Sequence, residues 1–263
     1  MFDIRSFRVG TLPAPRWEVL FGENDTTLVP LDFSVWLLCS AEHIGIIDTG
    51  LPLDPADRAA LDRANQGVHP EAIFQEPRTL ADAYAAFGIT PEEVDFALVT
   101  QTVTYSTGGL NRDLLPRAEV YIARAGVLEF LDGAPGHPAP EFYFTTDAWS
   151  ALRTFGIEGR LHLVDERTEV VPGVVFEATG GHHPGSAGVI VQTEIGSVGI
   201  LETAFTQENL DQRRPIGIAE DVATCRRVIE RYLAECDLVI PIHEPGLSGT
   251  MQNVVHTLSG GSP

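Results

Sequence analysis

The sequence predicts a mixed α/β fold in which packed β-sheets carry helices on their outer faces, within one domain of residues 1–263. Short apolar runs rich in Val, Ile, Leu and Phe recur along the chain, and several are almost continuous, as is typical of strands covered on both faces. Segments whose apolar residues recur at helical spacing separate some of these runs. Neither a linker nor a low-complexity segment divides the chain. Together these observations favour two similar halves packed as one unit.

Strand signals are frequent, and two of the gaps between them have the composition of hairpin turns. One gap is Ala41-Glu42, and the other is Glu194-Ile195-Gly196. Short polar or glycine-containing connections between apolar runs predict neighbouring antiparallel strands. The predicted strands are, in chain order, Phe33–Cys39, Ile44–Ile47, Val94–Val99, Val120–Ile122, Val174–Glu177, Val189–Gln192, Val198–Leu201 and Leu238–Ile242.

Three segments carry helix signals. Residues Asp54–Ala64 open with Asp-Pro, a common helix start, and Leu80–Phe87 end before Gly88. Within Asp221–Cys236, apolar residues recur at helical spacing and form a single stripe. We interpret that stripe as a face packed on the core, and we see no cofactor-binding motif in it.

Two stretches carry Gly and Pro without periodicity, namely Asn65–Arg78 and Asp132–Pro140. They are predicted to be long loops. Because long loops in a compact domain are often functional, both are candidates to border a binding site.

Charge and cysteine content exclude several classes of protein. The chain has 17 basic and 37 acidic residues and a formal net charge of -20, so it would repel anionic polymers and anionic membranes. We therefore expect neither a nucleic-acid partner nor a membrane partner. Three cysteines without CxxC spacing argue against a disulfide framework and against a cysteine zinc site. The first residues lack the pattern of a signal peptide, which favours a cytoplasmic location.

Four short segments resemble the metal-binding loops of one protein family. They are 46-IIDTG-50, 100-TQTVTYSTGGL-110, 180-GGHHPGS-186 followed by 199-GILETAF-205, and 240-IPIHEP-245. Their order and spacing resemble the metallo-β-lactamase fold superfamily, whose members bind one or two zinc ions through THxHxDHxGG, GHTPGS, GDA-type and PxH motifs. The segment 80-LADAYAAFGITPEEVDFALVTQ-101 resembles the approach to the metal loop in the lactonase-like hydrolases of that superfamily. The resemblance implies a four-layer αββα sandwich.

Most residues that would hold zinc in that superfamily are replaced in this chain. Matched to the family motif, Gln101 and Val103 stand at the first two histidines, Tyr105 at the aspartate, Ser106 at the third histidine and Thr203 at the bridging aspartate. Only His182 and His243 keep a ligand type, so two of seven ligand positions survive. Gly108 and Gly109 stay in frame.

These replacements predict a chain without the zinc pair and without any other cofactor. A catalytic zinc needs about three nitrogen, sulfur or carboxylate donors, and valine cannot ligate, while amide, phenol and hydroxyl groups are poor substitutes. One alternative stays open, in which His182, His243 and one carboxylate form a mononuclear site of the type used by iron. The candidate carboxylates are Glu202, Glu244 and Asp48. In the family, the residue at the position of Asp48 lies beneath the loop, which disfavours it as a ligand.

Without a metal, the predicted cleft still holds groups that transfer protons or donate hydrogen bonds. The predicted catalytic residues are His182, His243, Tyr105 and Glu202. The predicted substrate-binding residues are Gln101, Val103, Ser106, His183 and Thr203. The set suits acid–base chemistry on a lactone, ester or related small molecule. We therefore predict a metal-independent hydrolase, lyase or cyclase, of a kind that biosynthetic pathways can recruit.

Other interpretations of the same residues compete with this one. Tyr105 could simply fill the space that the metal ions leave, because an empty cavity of that size is costly. His182 and His243 could be hydrogen-bonded remnants in a closed pocket. The protein would then be a non-catalytic descendant that binds a ligand or a partner.

Overall fold

A computed structural model describes residues 1–132 and 142–258 of this chain, and its larger sheet has seven strands. The strand order is β12-β1-β2-β3-β4-β5-β6. The pairs of β1 with β12, β1 with β2, and β2 with β3 are antiparallel, whereas β3 to β6 run parallel. The strands are β1 (Asp3–Pro15), β2 (Leu28–Cys39), β3 (Ile44–Ile47), β4 (Phe96–Val99), β5 (Glu119–Ala123), β6 (Leu161–Val164) and β12 (Gly249–Thr250).

The smaller sheet has five strands in the order β11-β10-β9-β8-β7. It is antiparallel except for the parallel pair of β10 and β11. The strands are β7 (Arg167–Val171), β8 (Val174–Ala178), β9 (Ala187–Thr193), β10 (Gly196–Leu201) and β11 (Leu238–Pro241).

Helices cover the outer faces of the two sheets. α3 packs on β1 and β2 of the larger sheet, and α8 packs on β10 and β11 of the smaller one. Between the sheets, Phe96 of β4 and Phe176 of β8 belong to one continuous buried core, so the layers are helix, sheet, sheet and helix. The helices are α1 (Arg16–Val19), α2 (Pro55–Gln66), α3 (Leu80–Phe87), α4 (Thr104–Thr107), α5 (Arg124–Asp132), α6 (Thr146–Glu158), α7 (Gln207–Asp211), α8 (Val222–Glu235) and α9 (Met251–Leu258).

The predicted mixed α/β fold with two sheets is confirmed, and each predicted strand and helix is present within a few residues of its predicted bounds. Both predicted hairpins join antiparallel neighbours, β2 with β3 and β9 with β10. The predicted loop at Asp132–Pro140 lies almost wholly outside the described residues. No helix in the described part of the chain is long and apolar enough to cross a membrane.

The longest strand, β1, was not predicted. Its apolar positions are interrupted by the buried Ser6, and the register shifts between Arg8 and Gly10, so the alternating pattern of a strand is broken. Pro13 and Pro15 further weaken the strand signal near its end.

The two sheets place several strand ends on the same side of the molecule. Asp48 follows β3, Thr100 follows β4, Glu202 follows β10 and His243 lies two residues after β11. The backbone N–H of Ala187 donates to the carbonyl oxygen of Thr100 at 2.8 Å, which ties the ends of the two sheets together. The motifs from the sequence therefore converge at one place.

Candidate active site

The loop after β4 keeps its glycines because neighbouring backbone leaves no room for a side chain. A Cβ at Gly108 would overlap the backbone nitrogen of Pro52, and a Cβ at Gly109 would overlap the carbonyl oxygen of Thr49. The hydroxyl of Thr49 also donates to the carbonyl oxygen of Ser106 at 2.6 Å. The glycine frame is therefore a packing requirement of this loop, whichever side chains line the site.

Asp48 supports the same loop from below. Its Oδ1 accepts a hydrogen bond from the Thr100 backbone N–H at 2.8 Å, and its two oxygens also accept from the Thr100 hydroxyl. Burial raises the pKa of the Asp48 carboxyl to about 7 despite these hydrogen bonds. Asp48 is thus a structural group under the loop, as the sequence comparison implies.

His182 and Glu202 form a buried pair at the centre of the site. His182 lies in the connection between β8 and β9, and Glu202 follows β10; their exposed fractions are 8% and 0%. Nδ1 of His182 makes a short hydrogen bond to Oε1 of Glu202. The connection turns sharply at Gly181, where φ is +96° and the Sγ of Cys225 lies 2.9 Å from the position of a Cβ.

The charge state of Glu202 fixes the orientation of the His182 ring. Burial alone would raise the pKa of the Glu202 carboxyl, but the charge of His182 and its hydrogen bond outweigh burial, so the pKa lies below its ordinary value. An ionised carboxylate only accepts hydrogen bonds, so Nδ1 of His182 carries a proton. Nε2 is then the nitrogen that remains for a ligand.

His183, the next residue, has a different hydrogen-bonding pattern. Its ring lies edge-on to that of His182, with 5.0 Å between ring centroids. Its Nδ1 accepts a hydrogen bond from the backbone N–H of Gly185 at 3.0 Å. In the neutral ring the proton then sits on Nε2, which makes Nε2 a donor toward a ligand.

His243 is packed among aromatic rings. Its ring lies 4.0 Å from that of Phe33 and 5.1 Å from that of Phe205, measured between centroids. Its Nδ1 lies 3.2 Å from the carbonyl oxygen of Asp32, which can only accept, so Nδ1 donates. Burial lowers the pKa of His243 to about 3, so the ring is neutral and weakly basic.

Tyr105 fills space and is anchored by Asn65. Its hydroxyl donates to Oδ1 of Asn65 at 2.7 Å. Its ring packs against Phe33, Phe74 and Phe142, with centroid distances of 4.9, 5.7 and 5.6 Å. Burial raises the pKa of the phenol far above its ordinary value, so the hydroxyl stays protonated.

These groups border a pocket of about 340 Å³, called the central pocket below. Of the predicted residues, the pocket is lined by Gln101, Val103, Tyr105, His182, His183 and His243. Ser106, Glu202 and Thr203 are buried and lie outside the lining. The remaining lining is largely apolar and consists of Leu12, Pro13, Ala14, Glu18, Leu31, Phe33, Ala64, Asn65, Val68, Ala72, Phe142, Tyr143, Phe205, Ile218 and Glu220.

Metal-ligating side chains come together at one place among the described residues. His182, His183 and Glu202 each offer a ligand atom, and these atoms lie within 4.8 Å of one another. His243, which the sequence suggested as the second histidine of a mononuclear site, does not belong to this group. The other candidate carboxylate, Glu244, accepts a hydrogen bond from the backbone N–H of Gln207 at 2.6 Å.

Several lining residues were not found from the sequence, and Glu18 is the chemically important one. It lies in α1, a single helical turn that follows two prolines and carries no recognisable motif. Asn65 was placed only at the start of a long loop, without a role. The contact of these residues with the motif loops depends on tertiary structure, so no local pattern would have revealed it.

No protein-family model and no curated protein sequence matches this chain. Solved structures do match. An N-acyl homoserine lactone hydrolase, with the product N-hexanoyl-L-homoserine at its catalytic metal center, has a TM-score of 0.73 at 18% identity, covering 92% of this chain and 93% of that one. A probable metal-dependent hydrolase from Staphylococcus aureus has a TM-score of 0.73 at 17% identity, covering 94% and 91%.

A hydrolase in the beta lactamase superfamily also matches, with a TM-score of 0.70 at 16% identity over 94% of this chain and 88% of that one. At these identities the shared feature is the fold. The two sheets and the outer helices match the fold of these neighbours, over 92% of this chain for the lactone hydrolase. This chain has the fold of the metallo-β-lactamase superfamily.

Proposed function

We propose that this protein is a small-molecule hydrolase that opens an uncharged lactone or ester by metal-independent acid–base catalysis. The observation that carries the proposal is the buried pair of His182 and Glu202 at the edge of the central pocket. A carboxylate that holds the Nδ1–H of a histidine prepares Nε2 to accept a proton and stabilises the imidazolium that forms. This arrangement generates a general base without a metal ion.

The reaction follows from the position of that base. Nε2 of His182 takes a proton from a water molecule while the water oxygen bonds to the carbonyl carbon of the substrate. The bond between that carbon and the leaving oxygen then breaks, and the leaving oxygen takes up a proton. One water is consumed, and the products are an acid and an alcohol, joined in one molecule when the substrate is a lactone.

Donors for the developing oxyanion are available in the pocket. Nε2 of His183 carries a proton in the neutral ring, and the side-chain amide of Gln101 lies beside the His182 ring. Both residues line the pocket on the same side as His182, where a carbonyl oxygen would develop charge. His243 is a poor base near neutral pH because its pKa is about 3, so we assign it to shaping the pocket.

The zinc pair of the superfamily does not fit the residues present. Val103 cannot ligate, and the Tyr105 hydroxyl is engaged by Asn65. His243 packs between two aromatic rings and is not among the clustered donors of the described residues. The proposed reaction therefore has no step that involves zinc.

The lining of the central pocket indicates the class of substrate. It contains no lysine and no arginine among the described residues, whereas Glu18 and Glu220 contribute carboxyl groups. An anionic ligand would meet no lysine or arginine there, and most of the surface it would touch is apolar. An uncharged acyl compound with an apolar chain fits best, and its anionic product would be released readily.

Hydrolysis of a panel of lactones, alkyl esters and thioesters by EDTA-treated protein tests the proposal. We expect turnover by the wild type and a loss of about 100-fold or more in kcat for His182→Ala. His162→Ala is the matched control, because His162 also pairs with a carboxylate, Glu119, but on the surface. Equal activity of the wild type and His182→Ala would refute the role of His182 as the general base. Inactivity of both proteins would favour a non-catalytic binding protein.

A mononuclear metal hydrolase is a second candidate, and the clustering of His182, His183 and Glu202 within 4.8 Å favours it. Two features oppose it: Glu202 already bonds to Nδ1 of His182, and Nδ1 of His183 already accepts from Gly185. A ligating histidine normally donates its second nitrogen, whereas His183 uses Nδ1 as an acceptor. Elemental mass spectrometry of protein purified without chelator distinguishes the two candidates. About one equivalent of bound metal, together with a melting temperature that falls when EDTA is added, would establish the mononuclear metal hydrolase.

A further inference from the structure

A carboxyl group that belongs to none of the sequence motifs faces the central pocket. Glu18 lines the pocket together with His182, and it comes from α1 in the N-terminal part of the chain. His182 acts electrostatically on the Glu18 carboxyl, so the two groups lie close enough to interact. The two side chains are carried by separate elements, since His182 lies in the connection between β8 and β9.

The backbone holds Glu18 firmly in this position. The N–H of Gly217 donates to the Glu18 carbonyl oxygen at 2.8 Å, and a Cβ at Gly217 would overlap the carbonyl oxygen of Trp17. Three residues later, the N–H of Glu220 donates to the carbonyl oxygen of His182 at 3.0 Å. One short segment, residues 217–220, therefore ties α1 to the histidine loop and fixes Glu18 relative to His182.

The surroundings of the Glu18 carboxyl favour its protonated form. Burial raises the pKa of Glu18 to about 7, and the charge of His182 only partly opposes this. The nearest basic side chain in its own helix, Arg16, is engaged by Glu208 at 2.6 Å. The titratable groups that share the pocket with Glu18 are Tyr105, Tyr143, His182, His183, Glu220 and His243.

We propose that Glu18 is a second catalytic group of the central pocket, which protonates the leaving oxygen of the substrate while His182 acts as the base. This inference rests on the proposed hydrolysis and completes it. As the bond from the carbonyl carbon to the leaving oxygen breaks, the carboxyl proton of Glu18 moves to that oxygen. Solvent then returns a proton to Glu18, and the proton held by His182 leaves to solvent, so one water is consumed in each cycle.

The dependence on the leaving group tests this role. An alkoxide needs a proton to leave, whereas p-nitrophenolate leaves without one. With ethyl hexanoate we expect Glu18→Gln to lower kcat by about 100-fold, and with p-nitrophenyl hexanoate by less than about 3-fold. His182→Ala should slow both substrates. Glu42→Gln, an exposed glutamate in the hairpin turn between β2 and β3, is the matched control.

A readout that does not need activity accompanies the kinetics. The difference infrared spectrum of wild type minus Glu18→Gln should show the C=O band of a protonated carboxyl at about pH 6 and its loss at about pH 8, on either side of the raised pKa. Because the Glu18 carboxyl has no hydrogen bond from the described residues, the amide substitution should leave folding intact.

The outcomes separate the two proposals. If the wild type is active, His182→Ala is inactive and Glu18→Gln slows both esters equally or neither, the role of Glu18 is overturned while the proposed function stands. An ionised Glu18 carboxyl at about pH 6 would overturn the role as well. If neither ester is turned over by the wild type, the proposed function fails and the role of Glu18 fails with it.

Discussion

Nδ1 of His182 is bonded to Oε1 of Glu202, and neither side chain is exposed by more than a tenth. The superfamily motif has glycine where Glu202 stands and aspartate at the next position, Thr203. Compared with that motif, the carboxylate of this chain stands one residue earlier, where it bonds to His182. In the reaction proposed above, this pair supplies the general base.

Glu202→Gln should weaken both catalysis and folding. The amide keeps the shape of the side chain but removes the charge that stabilises the His182 imidazolium, so we expect kcat to fall by about 100-fold. The free energy of unfolding should fall by about 2 kcal/mol at neutral pH, as for other buried hydrogen bonds to a charged group. Ester hydrolysis and urea unfolding at about pH 7 measure the two effects.

The pH dependence of this substitution has a definite sign. Because the pKa of Glu202 in the folded protein lies below its ordinary value of 4.5, its contribution to stability is present above that value. The contribution is lost as pH falls through the folded pKa. The stability difference between wild type and Glu202→Gln should therefore narrow as unfolding is repeated below about pH 4.5. If the stability difference between wild type and Glu202→Gln instead widens below about pH 4.5, Glu202 is not stabilised as an ionised partner of His182.

The sequence predicted the fold well because its signals are local. The apolar runs of β3 and β4, the Gly88 stop of α3 and the two hairpin turns are all short-range features. The motif loops also fall where expected, since each follows a strand end. β1 was not predicted, because a serine occupies one of its buried positions and a register shift interrupts its alternating pattern.

The candidate site was predictable only in part. The motif positions identified His182, Glu202 and His243, but residue type alone assigned the two histidines the same role. Their surroundings differ, because His182 is hydrogen-bonded to a carboxylate and His243 to a backbone carbonyl among aromatic rings. Glu18 was missed because its partners lie far away in sequence, and only folding brings them together.

Gly109→Ala should destabilise the protein. A Cβ at Gly109 would overlap the Thr49 carbonyl oxygen, so the loop after β4 must shift. We expect a loss of about 3 kcal/mol in the free energy of unfolding, measured by urea denaturation. Gly156→Ala in α6 is the control: its Cβ would lie 3.7 Å from Leu161, and helix propensity predicts a small gain. Equal stability of wild type and Gly109→Ala would show that the glycine frame is not a packing requirement.

Tyr105→Phe tests whether Tyr105 only fills space in the pocket or also takes part in catalysis. The substitution keeps the ring in its aromatic cluster but removes the hydroxyl that donates to Asn65. We expect a loss of about 1–2 kcal/mol in the free energy of unfolding, because Oδ1 of Asn65 is left without that hydrogen bond. The kcat for ester hydrolysis should change by less than about 3-fold, since a hydroxyl held by Asn65 is not offered to the substrate. A loss of activity like that of His182→Ala would make Tyr105 a catalytic acid instead.

Asp48→Asn should remove a cost in folding free energy that the wild type has at neutral pH, where the buried Asp48 carboxyl must ionise. The pKa of Asp48 is raised from 3.8 to about 7 in the folded protein, so the folded state binds more protons than the unfolded state between these values. The contribution of Asp48 to the free energy of unfolding is therefore fully present below about pH 3.8, and it is lost as the pH rises toward 7. The full shift corresponds to about 4 kcal/mol as an upper limit.

Asparagine suits this position, since residue 48 has a φ of +59° and asparagine tolerates the left-handed region. Its amide oxygen can accept the hydrogen bonds that Asp48 accepts from Thr100. Thermal unfolding of wild type and Asp48→Asn at several pH values measures the effect. We expect the variant to be at least as stable as the wild type at about pH 7 and to lose that relative advantage toward about pH 4, in the window set by the two pKa values. A variant that is least stable relative to the wild type at neutral pH would show instead that the ionised carboxylate holds the loop.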